Sequence, residues 1–102
     1  MAGLTAAQLR EIRDAVCDFF AQECDIQRDT ISDSTNIITE LQGDSLMLLS
    51  LLEMFRKKYG LTVELRALGR RLMKKPANTV GQVIELTSRL VEHGDNILHV
   101  EL

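Results

Sequence analysis

The chain has 102 residues, of which 45% are hydrophobic, 26% charged and 4% aromatic, with a formal net charge of -3. This length predicts one domain over residues 1–102, with a core at about 5–93 and a C-terminal tail at 94–102. The weakly acidic balance argues against a dedicated nucleic-acid-binding protein, and no apolar run approaches the roughly 18 to 20 residues that span a bilayer. The first residues lack the basic and apolar parts of a signal peptide, so we expect a cytoplasmic protein.

The first predicted element is a helix from about Thr5 to Glu23. Thr5 and Gln8 have the spacing of a capping box, in which each side chain accepts a hydrogen bond from the other residue's backbone. Apolar side chains then recur at helical spacing: Leu9, Ile12, Val16, Phe19 and Phe20. The stripe needs a partner surface, because an isolated helix of this length is marginally stable in water.

The two cysteines, Cys17 and Cys24, lie on or near this helix. Seven helical residues separate them by roughly 10 Å along the axis, which is too far for a disulfide. We therefore expect free thiols. His93 and His99 have no ligand-like spacing to either cysteine, and no metal site is predicted.

Turn-forming and capping residues dominate residues 25–44. Apolar residues are scattered among them: Ile26, Ile31, Ile37, Ile38 and Leu41. A fully solvated linker would not need these side chains. We therefore predict a long loop pinned onto the helices, with one short helical turn near Ile37 to Leu41.

A second helix is predicted from about Ser45 to Tyr59, ended by Gly60 as the C-terminal cap. Only Ser50 and Glu53 are polar within residues 46–55. A helix that is apolar on nearly every side is either deeply buried or uses its second face to bind a partner.

Asp44 is a good N-cap for this helix, which places Ser45 in its first turn. Unpaired backbone N–H groups and the positive end of the helix dipole favour a phosphate at this position. The serine hydroxyl is therefore predicted to be exposed and to be a modification site.

A third helix is predicted from about Glu64 to Lys74, weakened by Gly69 and ended by Pro76. Its segment is locally basic, through Arg66, Arg70, Arg71, Lys74 and Lys75. No aromatic residue is interleaved, so a nucleic-acid site is not indicated. We expect a solvated face or one that meets an acidic partner.

The last helix begins with a second capping box, Thr79 and Gln82. It ends near His93-Gly94. Its apolar stripe is Val80, Val83, Ile84, Thr87, Leu90 and Val91. The tail from Asp95 to Leu102 is expected to fray or pack loosely.

With these residues in place, the chain resembles the acyl carrier proteins. The likeness rests on residues 31–46, where an isoleucine leads through polar residues to Leu41, four positions before the serine of Asp44-Ser45-Leu46. It extends to the Tyr59-Gly60 helix end and the Thr79-Val80 helix start. The resemblance implies an all-α fold, a small four-helix bundle of the acyl-carrier type with a long loop between helices one and two.

By that resemblance, Ser45 carries 4'-phosphopantetheine, attached by a separate phosphopantetheinyl transferase that uses coenzyme A. Asp44 and Leu46 flank the site and help the transferase to recognise it. The arm holds acyl groups as thioesters and presents them to acyl-loading and acyl-processing enzymes, so the chain itself is not an enzyme. We expect a monomer.

The chain departs from typical fatty-acid carriers, in which helix two is strongly acidic. Its outward positions here are expected to form the partner-binding surface, with Glu53 as the main acid: Met47, Ser50, Glu53, Met54, Arg56 and Lys57. Docking should therefore depend more on apolar contact and less on carboxylates. This favours a specialised carrier for a dedicated lipid, fatty-acid or polyketide-type pathway over a housekeeping role in fatty-acid biosynthesis.

Two other functions compete with this interpretation. Gly43-Asp44-Ser45-Leu46 spells the signature of the GDSL esterases, in which Ser45 would be a nucleophile. Asp95 and His99 are the nearby candidates for the other catalytic groups, but their spacing departs from that family's pattern, and the chain lacks the length and strands of that α/β fold. The second alternative is a helical adaptor without a prosthetic group.

Overall fold

Four α-helices make up most of the secondary structure. The computed structural model describes residues 4–74 and 76–94, and of Ser45 it describes the backbone alone. The helices are α1 (Ala6–Cys24), α2 (Ser45–Tyr59), α3 (Leu65–Lys74) and α4 (Val80–His93). Within the described ranges there is no strand beyond one isolated bridge, and no helix has the length and apolar content needed to cross a bilayer. The predicted all-α four-helix bundle is confirmed; the predicted tail at 95–102 lies outside the described residues.

The predicted helix ends follow from local capping interactions. In α1 the N–H of Gln8 donates to Thr5 Oγ1 at 3.1 Å, and the N–H of Thr5 donates to Gln8 Oε1 at 2.8 Å. Thr79 and Gln82 form the same reciprocal pair at the start of α4. Gly60 ends α2 in the left-handed region with φ 64°, a conformation that glycine adopts without steric cost.

One core is shared by all four helices and the long loop, with Leu68 and Leu72 contributed by α3. Its fully buried side chains include Ile12, Val16, Phe20, Ile37, Leu51, Phe55, Val80 and Leu90. Burying each contributes roughly 1.5–3 kcal/mol relative to leaving it exposed. Leu9 was predicted to belong to the buried apolar stripe of α1, but it is 43% exposed. It lies on the first turns of α1, to one side of the line through Ile12 and Val16.

The long loop between α1 and α2 is fixed to the start of α4 by backbone hydrogen bonds. The N–H of Ile37 donates to the carbonyl of Asn78 at 2.8 Å, and the N–H of Val80 donates to the carbonyl of Thr35 at 3.0 Å. Asn36 and Thr79 form an isolated antiparallel bridge between these contacts. The predicted pinning of the loop is therefore present as backbone pairing and as burial of Ile37 and Leu41, whereas Ile26 and Ile38, which were expected to contribute, are exposed.

The long loop contains the predicted turn near Ile37 to Leu41 and one short helix that was not predicted. A 3-10 helix occupies Arg28–Thr30, where none was expected. Near the predicted turn, the N–H groups of Glu40 and Leu41 both donate to the carbonyl of Asn36, so that segment is a single hydrogen-bonded turn.

Both cysteines are free, as predicted. Cys17 is buried, and this burial raises the pKa of its thiol. Burial also raises the pKa of the Cys24 thiol, whose Sγ donates to the carbonyl of Leu41 at 3.4 Å.

Candidate functional site

The start of α2 is built around Asp44. Its backbone is extended, and its side-chain Oδ1 accepts a hydrogen bond from the N–H of Met47 at 3.0 Å. This is the N-cap geometry that the sequence predicts, and it makes Ser45 the first residue of the helix. The Ser45 hydroxyl was predicted to be exposed. The structure describes only the backbone of this residue, so its exposure stays a prediction.

Gly43 lets the chain pass closely over the core before α2 begins. It is buried, and its N–H donates to the carbonyl of Ile37 at 2.8 Å. A Cβ at this position would lie 2.6 Å from Ile37 Cγ2 and 3.1 Å from Met47 Sδ. Because Ile37 is fully buried, it has no room to withdraw. Sequence reasoning assigned no role to Gly43, since the long-range contact that requires glycine is invisible in the sequence.

Leu46, the residue after the candidate attachment serine, is 70% exposed. A large apolar side chain left in solvent at this point is available to contact a partner protein. Both residues flanking Ser45 are thus accessible, since Asp44 is exposed as well.

The six predicted partner-binding residues do not all point outward. Ser50 and Lys57 are exposed, whereas the other four are half-buried: Met47, Glu53, Met54 and Arg56. The Arg56 guanidinium donates to both carboxylate oxygens of Glu53, at 3.0 and 2.7 Å. The main acidic group predicted for this face is therefore already paired within the helix.

An apolar groove of about 710 Å³ lies between α2 and α3. Most of its lining is aliphatic, and Asp44 and two arginines also border it: Ile37, Ile38, Asp44, Leu48, Leu49, Leu65, Arg66, Gly69, Arg70, Leu72, Met73, Pro76, Ala77 and Asn78. The groove thus reaches the residue directly before Ser45.

Gly69 of α3 lies against Leu49 of α2 along this groove. A Cβ on Gly69 would lie 3.3 Å from Leu49 Cδ2. From the sequence, Gly69 was predicted only to weaken the interior of the third helix. Its contact with Leu49 of α2 is visible only in the structure.

These features fit a phosphopantetheine group attached at the start of α2. The first N–H groups of a helix have no intrahelical acceptor, and the helix dipole favours a phosphate there. The adjacent groove is lined by aliphatic side chains that can shelter an apolar chain from water. The residues present are therefore chemically suited to the group that the resemblance implies.

The esterase alternative finds no support in the architecture. Its signature needs an α/β fold, whereas the described ranges hold helices and one isolated bridge. The other two members of that catalytic set, Asp95 and His99, lie outside the described residues.

Two comparisons with known proteins identify the family of this chain. The family model for the phosphopantetheine attachment site matches residues 14–87, a span that contains Ser45. An acyl carrier protein homolog from Clostridium acetobutylicum is 40% identical over 100 residues, which cover 98% of this chain and 97% of that protein. The chain therefore belongs to the acyl carrier protein family, whose members are phosphopantetheine-bearing carriers rather than enzymes.

Proposed function

We propose that Ser45 is the residue that receives 4'-phosphopantetheine, transferred from coenzyme A by a separate phosphopantetheinyl transferase. The observation that carries this proposal is the position of Ser45 as the first residue of α2, directly after the Asp44 cap and beside the apolar groove. When attached, the group supplies the thiol on which acyl chains are held as thioesters.

The chain's own residues prepare this position in different ways. Asp44 caps the helix and so fixes the backbone of the attachment residue. Leu46 presents an apolar contact for the transferase. The aliphatic groove beside them shields the apolar part of an acyl group from water.

We further propose a specialised carrier that serves a dedicated lipid, fatty-acid or polyketide-type pathway. The support is the chemistry of α2, where Glu53 is the one carboxylate and is paired with Arg56. Its acyl-loading and acyl-processing enzymes would then recognise the six α2 positions with little help from carboxylates. In this proposal the chain acts as a single carrier domain, monomeric and cytoplasmic.

The attachment is tested by intact mass after incubation with coenzyme A, magnesium and a broad-specificity phosphopantetheinyl transferase. The parent protein should gain one phosphopantetheinyl group, and Ser45→Ala should gain none. Ser34→Ala is the matched control, because it removes another exposed serine hydroxyl at a position outside the proposed partner-binding surface. An unmodified parent, or a modified Ser45→Ala, contradicts the proposal.

The adaptor alternative is tested by the same variant. A helical adaptor that works without a prosthetic group would bind its partners equally well after Ser45→Ala. A carrier should instead lose transfer of acyl groups to partner enzymes while keeping its fold, which circular dichroism measures.

A further inference from the structure

Charge is divided unevenly along this chain. Residues 45–74, which comprise α2, α3 and their connection, contain seven Lys or Arg and two Glu, a net charge of +5. The other 72 residues contain five Lys or Arg and thirteen Asp or Glu, a net charge of -8. The helix pair that holds the attachment residue is therefore basic, although the whole chain is acidic.

Many cations, both outside this helix pair and within it, are neutralised by neighbouring carboxylates. Arg13 pairs with Asp33, and Arg28 pairs with Asp14 and Asp18. By contrast, two exposed cations of α3, Arg70 and Lys74, form no ion pair within residues 4–74 and 76–94. Their charge remains available to a partner.

These cations share one side of α3 with an exposed methionine. Arg70, Met73 and Lys74 follow Arg66 by four, seven and eight residues, so the four lie on one face of the helix, here named the α3 stripe. Met73 is 83% exposed. Three members of the stripe line the groove that Asp44 also lines, which places the stripe beside the attachment position.

We propose that the α3 stripe, together with Leu46, extends the α2 surface proposed above into a docking surface for enzymes whose carrier-binding face has carboxylates around an apolar depression. The carboxylates would pair with Arg70 and Lys74, and the depression would receive Met73 and Leu46, which are 83% and 70% exposed. This polarity is opposite to that of a typical acyl carrier, and the inference rests on the proposed carrier function.

The overall charge distribution supports this orientation of docking. An acidic partner surface is attracted to the +5 segment and repelled by the rest of the chain, so long-range electrostatics direct the attachment end of the molecule toward it.

A nucleic acid fits the same surface poorly. Single-stranded nucleic acids need exposed aromatic rings for base stacking. In this helix pair Phe55 is buried and stacks on the half-buried Tyr59, with ring centroids 5.9 Å apart.

The surface can be mapped by photo-crosslinking in the organism that encodes the chain. Full-length protein carries benzoylphenylalanine in place of Met73 or, as a control on α1, in place of Leu9, which is 43% exposed. We expect position 73 to crosslink to an acyl-loading or acyl-processing enzyme that position 9 does not capture. Capture from position 9 alone, or crosslinks from position 73 to nucleic acid or lipid only, would overturn the proposal.

The captured enzyme is then purified and its Kd for the carrier is measured with matched charge reversals. Arg70→Glu and Arg10→Glu make the same change in net charge at exposed, unpaired positions, one on the α3 stripe and one on α1. Arg70→Glu should raise Kd by about tenfold at low salt, whereas Arg10→Glu should leave it within about twofold, as expected for a charge outside the interface. Added salt should weaken binding by the parent protein.

A reciprocal change identifies the partner group. Replacing the facing Asp or Glu of the enzyme by Lys should restore binding of Arg70→Glu. The inference would be overturned if Arg70→Glu and Arg10→Glu changed Kd equally, or if Arg70→Glu bound more tightly than the parent. A Kd of the parent protein that does not depend on salt would overturn it as well. The mass measurement on Ser45 is independent of these readouts, so a failure of attachment is distinguishable from a failure of docking polarity.

Discussion

The carbonyl oxygen of Asp33 accepts a hydrogen bond from the N–H of Gly81 at 2.9 Å, and a Cβ on Gly81 would lie 3.0 Å from the same oxygen. Alanine is intrinsically the better helix residue by about 1 kcal/mol. Here the crowding falls on backbone, which cannot move aside without breaking the loop's attachment to α4. We therefore expect Gly81→Ala to lower the free energy of unfolding by about 1 kcal/mol or more, measured by urea denaturation.

Gly69→Ala is the matched substitution in a second helix. Its new Cβ would meet only the end of the Leu49 side chain, at 3.3 Å, and that side chain is half-buried and can rotate. We expect a gain of roughly 0.5–1 kcal/mol from helix propensity. Stabilisation by Gly81→Ala, or a larger loss in Gly69→Ala, would contradict this explanation.

Gly43→Ala should disturb the entrance to α2. Its Cβ would clash with Ile37 Cγ2 at 2.6 Å, so the backbone before Ser45 must shift. We expect both lower stability and slower phosphopantetheinylation of Ser45. Gly60→Ala is the control: with φ 64° and open space around it, alanine there costs roughly 1–2 kcal/mol of backbone strain and should not slow modification beyond what unfolding explains.

Asp44→Ala separates capping from recognition. Loss of the side-chain hydrogen bond to Met47 should destabilise the protein by about 1 kcal/mol. Thr79→Ala is the control, because it removes a comparable N-cap from α4, the last helix of the chain. The family resemblance implies that the transferase recognises Asp44 directly. The kcat/KM for phosphopantetheinylation of Ser45 should therefore fall much further in Asp44→Ala than in Thr79→Ala, with both variants measured as folded protein.

The ion pair between Arg13 and Asp33 should contribute stability that depends on pH. The hydrogen-bonding Arg13 guanidinium holds the pKa of the Asp33 carboxyl below its ordinary value of 3.8. A depressed carboxyl pKa stabilises the folded state above that ordinary value, and the contribution is lost as the pH falls through the folded-state pKa.

Asp33→Asn should accordingly cost at most about 1 kcal/mol at pH 7, since both side chains are about half exposed. The difference from the parent should shrink below about pH 4. Asp29→Asn, at an exposed carboxylate without an ion pair in the described part of the chain, is the control and should show no such convergence. A cost for Asp33→Asn that stays constant down to pH 2 would contradict the assignment.

Local signals predicted the helices well, because their ends depend on neighbouring residues. Thr5 with Gln8, Thr79 with Gln82, and Gly60 each act within one helical turn, so their roles are readable in the sequence. Asp44 is of the same kind, and it fixed the position of Ser45 at the start of α2.

Features that join distant parts of the chain could not be predicted in this way. The need for glycine at position 43 arises from Ile37 and Met47 packed against it, and the contact of Gly69 with Leu49 joins two helices that are distant in the sequence. The sequence pattern also placed Leu9 in the core, since the period of a helix does not show how wide the neighbouring helix surface is. The charge of α3 was visible in the sequence, but its position beside Asp44 was not.

Thr79 caps α4 through its side chain while its backbone pairs with Asn36 of the long loop. The segment leading into α2 is thus fixed in two ways. Its backbone is hydrogen-bonded to the start of α4, and the side chain of Ile37 is buried in the core. The backbone at the proposed attachment position is therefore held rigidly. An acyl group can then move between successive enzymes only through motion of the phosphopantetheine arm and rotation of the whole carrier.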